Sequence, residues 1–435
     1  MKKDTLSIGR IISVSLMLFA MFFGAGNMIF PPMLGHLGGE NFLQATLGFV
    51  VTDAGLSVLG IAAIIFVGTK IDDLGKLIGP KFAIFLSMLI YLLIGPFFAM
   101  PRTGTVSYEM AIVPFLGDSA SLLTSVIFTA VFFGLTYVLC LNPSKLVDIV
   151  GKILTPVLLL SIAVIFVVSI VNPVGTIGAA QGDYASIPFF KGMVEGYLAL
   201  DGFASLAFAI VVINAIKNLD VEEPKDIAKY TLVSGIFAGI ALGVVYLALS
   251  FVGAQTSGTM AFENGGQLLA DVTYRLLGNG GRMVLGVAVL LACLTTSIGL
   301  ATSFADYVHE TFPKYSYKAV LTAVCLFSFA VSNVGLTLMI TFTLPALVMV
   351  YPPVITLVLM AFMHKKIGSH PAPYGLAFLF AFIIGIFDGL KTAGISLGAF
   401  AGIMEMVPFF NLGLGWIVPA IVGALIGLVI AKAKK

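Results

Sequence analysis

The stretch Phe22-Phe23-Gly24-Ala25-Gly26-Asn27-Met28-Ile29-Phe30-Pro31-Pro32 lies inside an apolar run, Ile11 to Leu34, that is long enough to cross a bilayer. Two glycines and an asparagine in mid-span predict a broken helix. In lipid a break frees backbone N–H and C=O groups that are costly unless something polar meets them, so breaks persist where they line a protected cavity. A later apolar run is interrupted by Leu200-Asp201-Gly202-Phe203. Gly-interrupted spans at corresponding places in two halves point to the binding site of a secondary transporter.

The rest of the composition fits that class. Hydrophobic residues make up 59% of the 435 and charged residues 10%, with a mean hydropathy of +1.10, so the chain reads as an all-α polytopic membrane protein. A net charge of +2 without any basic tract excludes nucleic acid as an expected partner. Met1-Lys2-Lys3 and the following run read as a retained helix, because no small-residue cleavage site follows. Cys140, Cys293 and Cys325 fall in apolar runs and read as core residues, while His36, His309, His364 and His370 sit at span ends or loops. Neither set suggests a metal cluster or a catalytic constellation. The chain is expected to be no enzyme and to need no cofactor.

Apolar runs against loop signals predict twelve spans, near 11-34, 41-67, 82-114, 121-141, 153-171, 192-215, 230-253, 282-308, 319-334, 336-363, 372-390 and 408-431. Arg102, Lys191, Arg275, Arg282 and Lys391 fall on the outer side or in the membrane, and the remaining basic residues, from Lys2, Lys3 and Arg10 through Lys145 and Lys152 to Lys432, Lys434 and Lys435, fall on the other. That asymmetry predicts cytoplasmic termini. Residues 1-171 and 192-363 would then be five-helix repeats, inverted because five is odd, with 372-431 holding peripheral helices 11 and 12. The first and sixth helices are the broken ones. Between spans, Gln267 to Leu277 carries the pattern of a short helix over the outer face.

Candidate site residues follow from the breaks. Gly24 and Gly26 permit backbone conformations closed to other residues, and N–H groups of the half-helix starting near Asn27 would suit a carboxylate; close helix packing through Gly-x-Gly is the alternative. Asp201 is the most isolated charge, and its readings are a cation or ammonium contact, a proton acceptor, or a helix cap. Ala292, Thr295, Thr296, Gly299 and Ser303 share one helix face and form an oxygen-bearing stripe suited to Na+, or to packing. Arg102, with Glu109 on the same span, would form a gate or a buried ion pair, Asp53 and Asp388 being the plausible partners. Gly235, Gly239 and Gly243 read as a helix-packing face.

Taken together, Phe22 to Pro32, Pro101-Arg102-Thr103-Gly104-Thr105, Ala199-Leu200-Asp201-Gly202-Phe203-Ala204 and Leu294-Thr295-Thr296-Ser297-Ile298-Gly299 resemble the bacterial branched-chain amino acid:cation symporter family along essentially the whole chain. The resemblance implies a LeuT-like fold with a five-plus-five inverted repeat and two peripheral helices, in the bacterial cytoplasmic (inner) membrane. It also implies import of leucine, isoleucine and valine driven by Na+ or H+. Gly24, Ala25, Gly26 and Asn27 resemble the first-helix substrate loop of LeuT-like sodium symporters. Asp201, Gly202 and Phe203 would line the second break, with Leu300 facing the same cavity. Ala292, Thr295 and Thr296 resemble sodium ligands that would meet the carbonyls of Ala20 and Phe23. Asp201 departs from the sodium symporters, which usually carry an uncharged residue there. The expected partners are a small amino acid and the lipid bilayer, with no obligate protein. A proton-coupled carrier or exchanger of another small neutral amino acid is the alternative, and an ion channel is the alternative from a different class.

Overall fold

The computed structural model describes residues 6–141 and 155–433. Lys2, Lys3, Lys145, Lys152, Lys434, Lys435 and the expected start of the fifth span at 153 lie outside the described residues. Among the described residues every regular element is helical. Seven helices are long and apolar enough to cross a membrane, and a bent pair, Pro188–Ala199 with Asp201–Lys217 at 46°, makes an eighth. Four shorter apolar helices, Ile8–Phe22, Thr155–Val171, Tyr317–Ser332 and Ile417–Ala433, accompany them. The helix Leu122–Cys140 turns Leu123, Ile127, Val131, Leu135 and Val138 outward along one stripe. Such a face suits hydrocarbon rather than water.

Both breaks occur where the glycines and Asp201 stand. The helix Ile8–Phe22 stops at Phe23, whose ψ is 87°, and Ala25–Gly38 resumes after an extended Gly24. The second break is sharper. A short turn, Tyr197–Ala199, ends at Leu200 in the left-handed region (φ 74°), and Asp201–Lys217 begins immediately.

Three expected spans differ in detail. The run 41-67 contains a π-helical turn at Val51–Gly55, and 82-114 contains another at Leu93–Phe97, where Gly95 leaves helical geometry and Pro96 has no N–H to give. The run 408-431 yields an α-helix only from Ile417; before it stands one 3-10 turn, Phe410–Leu412, bounded by Phe409 and Gly413 at positive φ. Gln267 to Leu277 is helical and runs into the next span across a kink at Gly278 (φ 60°), giving Gly265–Thr311.

Small residues let the bundle close on the first break. A Cβ on Gly253 would meet Pro32 O at 1.9 Å, and one on Gly35 would meet Ser250 O at 1.9 Å. The long helix Pro224–Ala254 therefore lies against Ala25–Gly38 nearly backbone to backbone. Gly235, Gly239 and Gly243 on the same helix face Ile61, Val58 and Val50. Near the C-terminal end, Pro371–Thr392 packs between Leu336–Phe362 and Ile417–Ala433.

Candidate functional site between the two helix breaks

Asn27 ties the breaks together. Its Oδ1 accepts the Gly24 N–H at 3.0 Å, closing the turn at the start of the second half-helix. Its Nδ2 donates to Asp201 Oδ2 at 2.6 Å and to the Tyr246 hydroxyl. The amide and the carboxylate are 1% and 3% exposed, so the bond is out of reach of water. Tyr246 in turn donates to Asp53 Oδ2 and stands 3.3 Å from Asp201 Oδ2. Asp53 is carried by the π-helical turn Val51–Gly55, a local rewinding that recurs at functional sites.

The two glycines serve space rather than conformation. Neither has a positive φ. A Cβ on Gly26 would stand 2.7 Å from Arg102 Nη2 and 3.1 Å from Ala199 Cα, and one on Gly24 would stand 2.7 Å from Thr296 Oγ1. Each glycine makes room for a side chain from another helix.

Arg102 uses that room to brace the second break. It donates to Leu198 O at 2.7 Å and to Ala199 O at 3.2 Å, and it lies over the Phe30 ring at 5.2 Å. Those carbonyls end the short turn before Leu200, and the guanidinium supplies the donors that a helix C-terminus lacks. No ion pair within 4.0 Å joins Arg102 to a carboxylate among the described residues, so the expected pairing with Asp53 or Asp388 is replaced by carbonyl capping. Glu109 stands apart from both: it accepts the Leu336 N–H at 3.3 Å and lines a separate cavity of about 650 Å³ with Asp271 and Arg282.

At the end of the first half-helix, carbonyls without intrahelical partners meet the hydroxyl stripe. Thr295 Oγ1 donates to Ala20 O and to Ala292 O, both at 2.9 Å, and Thr296 Oγ1 donates to Met21 O at 3.0 Å. The Thr296 hydroxyl thus goes to the Met21 carbonyl, while the Phe23 N–H turns back to Phe19 O at 2.7 Å. Because the helix ends at Phe22, the carbonyls of Ala20 and Met21 belong to its last turn, where the backbone presents partial negative charge. Hydroxyl and carbonyl oxygens gathered at such an end suit a hard cation.

Gly24, Ala25, Gly26, Asn27, Asp201 and Leu300 line one cavity, and Arg102 and Thr296 complete its polar wall. Its volume is about 20 Å³, room for about one water. Phe203 lies elsewhere: it stacks on Tyr351 at 3.8 Å, and Tyr351 also stacks on Tyr197 at 4.7 Å. Gly202 faces the same tyrosine, with Cε1 3.1 Å from where its Cβ would be. Sequence reasoning missed Tyr246, Met21 and Tyr351. The signal for Tyr246 is a phenol in mid-span, among the glycines of a run without charged residues.

The chain matches the family model described as "Branched-chain amino acid transport protein" over residues 7–434. It is 43% identical over 428 residues to the branched-chain amino acid permease BrnQ of Bacillus subtilis, covering 98% of this chain and 97% of the relative. BraB of the same organism is 42% identical over 98% of this chain and 97% of its own, and BrnQ of Escherichia coli is 35% identical over 97% and 96%. Among solved structures, Mhp1, a nucleobase-cation-symport-1 family transporter closed on bromovinylhydantoin, superposes with a TM-score of 0.63 at 15% identity, covering 97% of this chain and 92% of that one. MhsT in complex with L-phenylalanine superposes at 0.52 and 16% identity, covering 96% and 98%. These likenesses give the fold, that of LeuT-like transporters, and the curated relatives are permeases rather than enzymes. On the family match and on identity along nearly its whole length, the chain belongs to the branched-chain amino acid transport protein family.

Proposed function

We propose that this protein is an inner-membrane symporter that imports leucine, isoleucine and valine together with Na+ by alternating access. The observation that carries the reading is the meeting of the Thr295 and Thr296 hydroxyls with the Ala20 and Met21 carbonyls, directly beside the cavity between the breaks. Na+ is bound there, with Ala292 O and Phe23 close by in the chain. The substrate carboxylate is taken by N–H groups at the start of Ala25–Gly38, where the helix dipole favours negative charge. The ammonium is taken by Asp201 and by carbonyls at the second break. Leu300, Ile94 and Ala204 supply apolar surface for the branched side chain. In this reading the chain forms twelve spans, with inverted repeats over 1-171 and 192-363, peripheral helices in 372-431, and both termini in the cytoplasm.

Coupling follows from shared geometry. A cavity of about 20 Å³ admits no amino acid, so entry requires the breaks to separate and the Asn27–Asp201 bond to open. A cation that pins the end of Ile8–Phe22 to the hydroxyl stripe biases that movement, and each ligand then strengthens the other's binding. The test is binding of labelled leucine to the purified protein. Isoleucine and valine are expected to compete, and Na+ is expected to raise leucine affinity in wild type but far less in Thr296→Ala. Equal Na+ enhancement in the variant would remove the assigned cation site.

A further inference from the structure

Gly202 and Phe203 stand directly after the second break, yet neither lines the cavity between the breaks. Both face one ring instead. Tyr351 stacks on Phe203 at 3.8 Å and on Tyr197 at 4.7 Å, with interplanar angles of 18° and 16°. Two rings held nearly parallel at those distances would overlap on one face, so Tyr351 lies between them. Phe203 belongs to Asp201–Lys217, and Tyr197 belongs to the turn that precedes Leu200. One ring from Leu336–Phe362 therefore grips both halves of the broken helix. Gly202 lets it in, since a Cβ there would stand 3.1 Å from Tyr351 Cε1.

The break needs such a grip. Leu200 holds a left-handed conformation (φ 74°), and strain of this kind persists only where the surroundings over-determine it. Arg102 donates to the carbonyls of Leu198 and Ala199, on the near side of Leu200. The stack carries across to the far side. Tyr197 is 2% exposed and Phe203 and Tyr351 are 1% each, and aromatic pairs contribute beyond the area they bury. The Tyr351 hydroxyl has no hydrogen-bond partner among the described residues, so the ring and not the oxygen makes the contact. Tyr351 also sits where its own helix is weakest, because Pro352 and Pro353 have no N–H to give to the carbonyls of Val348 and Met349. The helix Pro371–Thr392 backs that point closely: a Cβ on Gly385 would stand 2.6 Å from Met349 O.

We propose that Tyr351 is a positioning residue for leucine, clamping the two halves of the second break so that Asp201 and the carbonyls before Leu200 are in place before the amino acid arrives. The proposal rests on the leucine-transport reading above. Without the ring the halves are free to turn about Leu200, and the cost of setting them falls on binding, which lowers affinity. Gly202 and Phe203 serve leucine indirectly, by seating the ring.

The test is equilibrium binding of labelled leucine, in saturating Na+, to purified wild type, Tyr351→Leu and Tyr351→Phe, with Kd and the number of sites per protein read separately. Tyr351→Leu is expected to raise Kd about tenfold, the contribution of one aromatic pair, with the number of sites unchanged. Tyr351→Phe keeps the ring and discards the unpartnered hydroxyl, and is expected to hold Kd within about twofold of wild type. A ring that mattered only to folding would lower the number of sites and leave Kd alone, and that result overturns the proposal. So does a Kd in Tyr351→Phe as high as in Tyr351→Leu, which would assign the effect to the hydroxyl. Where Tyr351→Leu yields no folded protein, Phe203→Leu opens the same clamp from its other side: a raised Kd is expected, and a wild-type Kd overturns the proposal. Wild-type protein that binds no leucine would instead count against the transport reading.

Discussion

The two breaks line one cavity and are built from opposite chemistry. The first is made by removing side chains: Gly24 yields to Thr296 and Gly26 yields to Arg102, and the turn is closed by a neutral amide. The second is made by adding them. Leu200 takes a left-handed conformation that costs an L-residue about 1 kcal/mol, the carbonyls of Leu198 and Ala199 are held by a guanidinium, and a carboxylate opens the next helix. The first break is a cradle and the second is a brace. Asn27 closes the first break and bonds to Asp201 at the second, and the Tyr246 hydroxyl meets both residues.

That contrast can be broken first at the brace. Arg102→Ala leaves two buried carbonyls without donors, each worth about 1–3 kcal/mol. It is expected to abolish uptake and lower the thermal midpoint of the purified protein. Arg102→Lys keeps the charge but not the fork, and is expected to recover only part of the loss. Near-normal uptake by Arg102→Ala would mean that the second break stands without bracing.

Next in size is the cradle. Gly26→Ala would force its Cβ against Arg102 and the backbone of Ala199. Overpacking of this kind costs about 1–3 kcal/mol, a loss of about thirtyfold in uptake at its middle. Uptake in vesicles measures it, and a silent Gly26→Ala would show that the guanidinium has room to move. The smallest effect is expected away from the breaks. At Gly243 a new Cβ would meet Val50 at 3.4 Å, an ordinary contact, so Gly243→Ala is expected to leave uptake and melting unchanged within error. A large effect there would mean that small residues are needed throughout the bundle rather than at the cradle.

Much of this architecture was legible in the sequence because it depends on residue type. Glycines and a lone carboxylate inside apolar runs have few structural uses in lipid, so the break positions could be read at Gly24 and Asp201. The hydroxyl stripe was visible because helical spacing places Thr295 and Thr296 beside Ala292. What escaped depends on partners across the bundle. Nothing in the spacing tells Arg102 to choose carbonyls over Asp53, or brings Tyr246 to both carboxylates. That Thr296 meets the Met21 carbonyl follows from where the first half-helix ends, which a sequence locates only to within a few residues. The π-helical turns carry no periodic signature of their own. They were invisible, and one of them holds Asp53.

The most direct test of the account is leucine accumulation in proteoliposomes with an inward Na+ gradient and equal pH on both faces. Leucine is predicted to rise inside above its outside concentration and to fall back when Na+ is made equal. Accumulation that ignores the Na+ gradient, or uptake that never exceeds equilibrium, would contradict it.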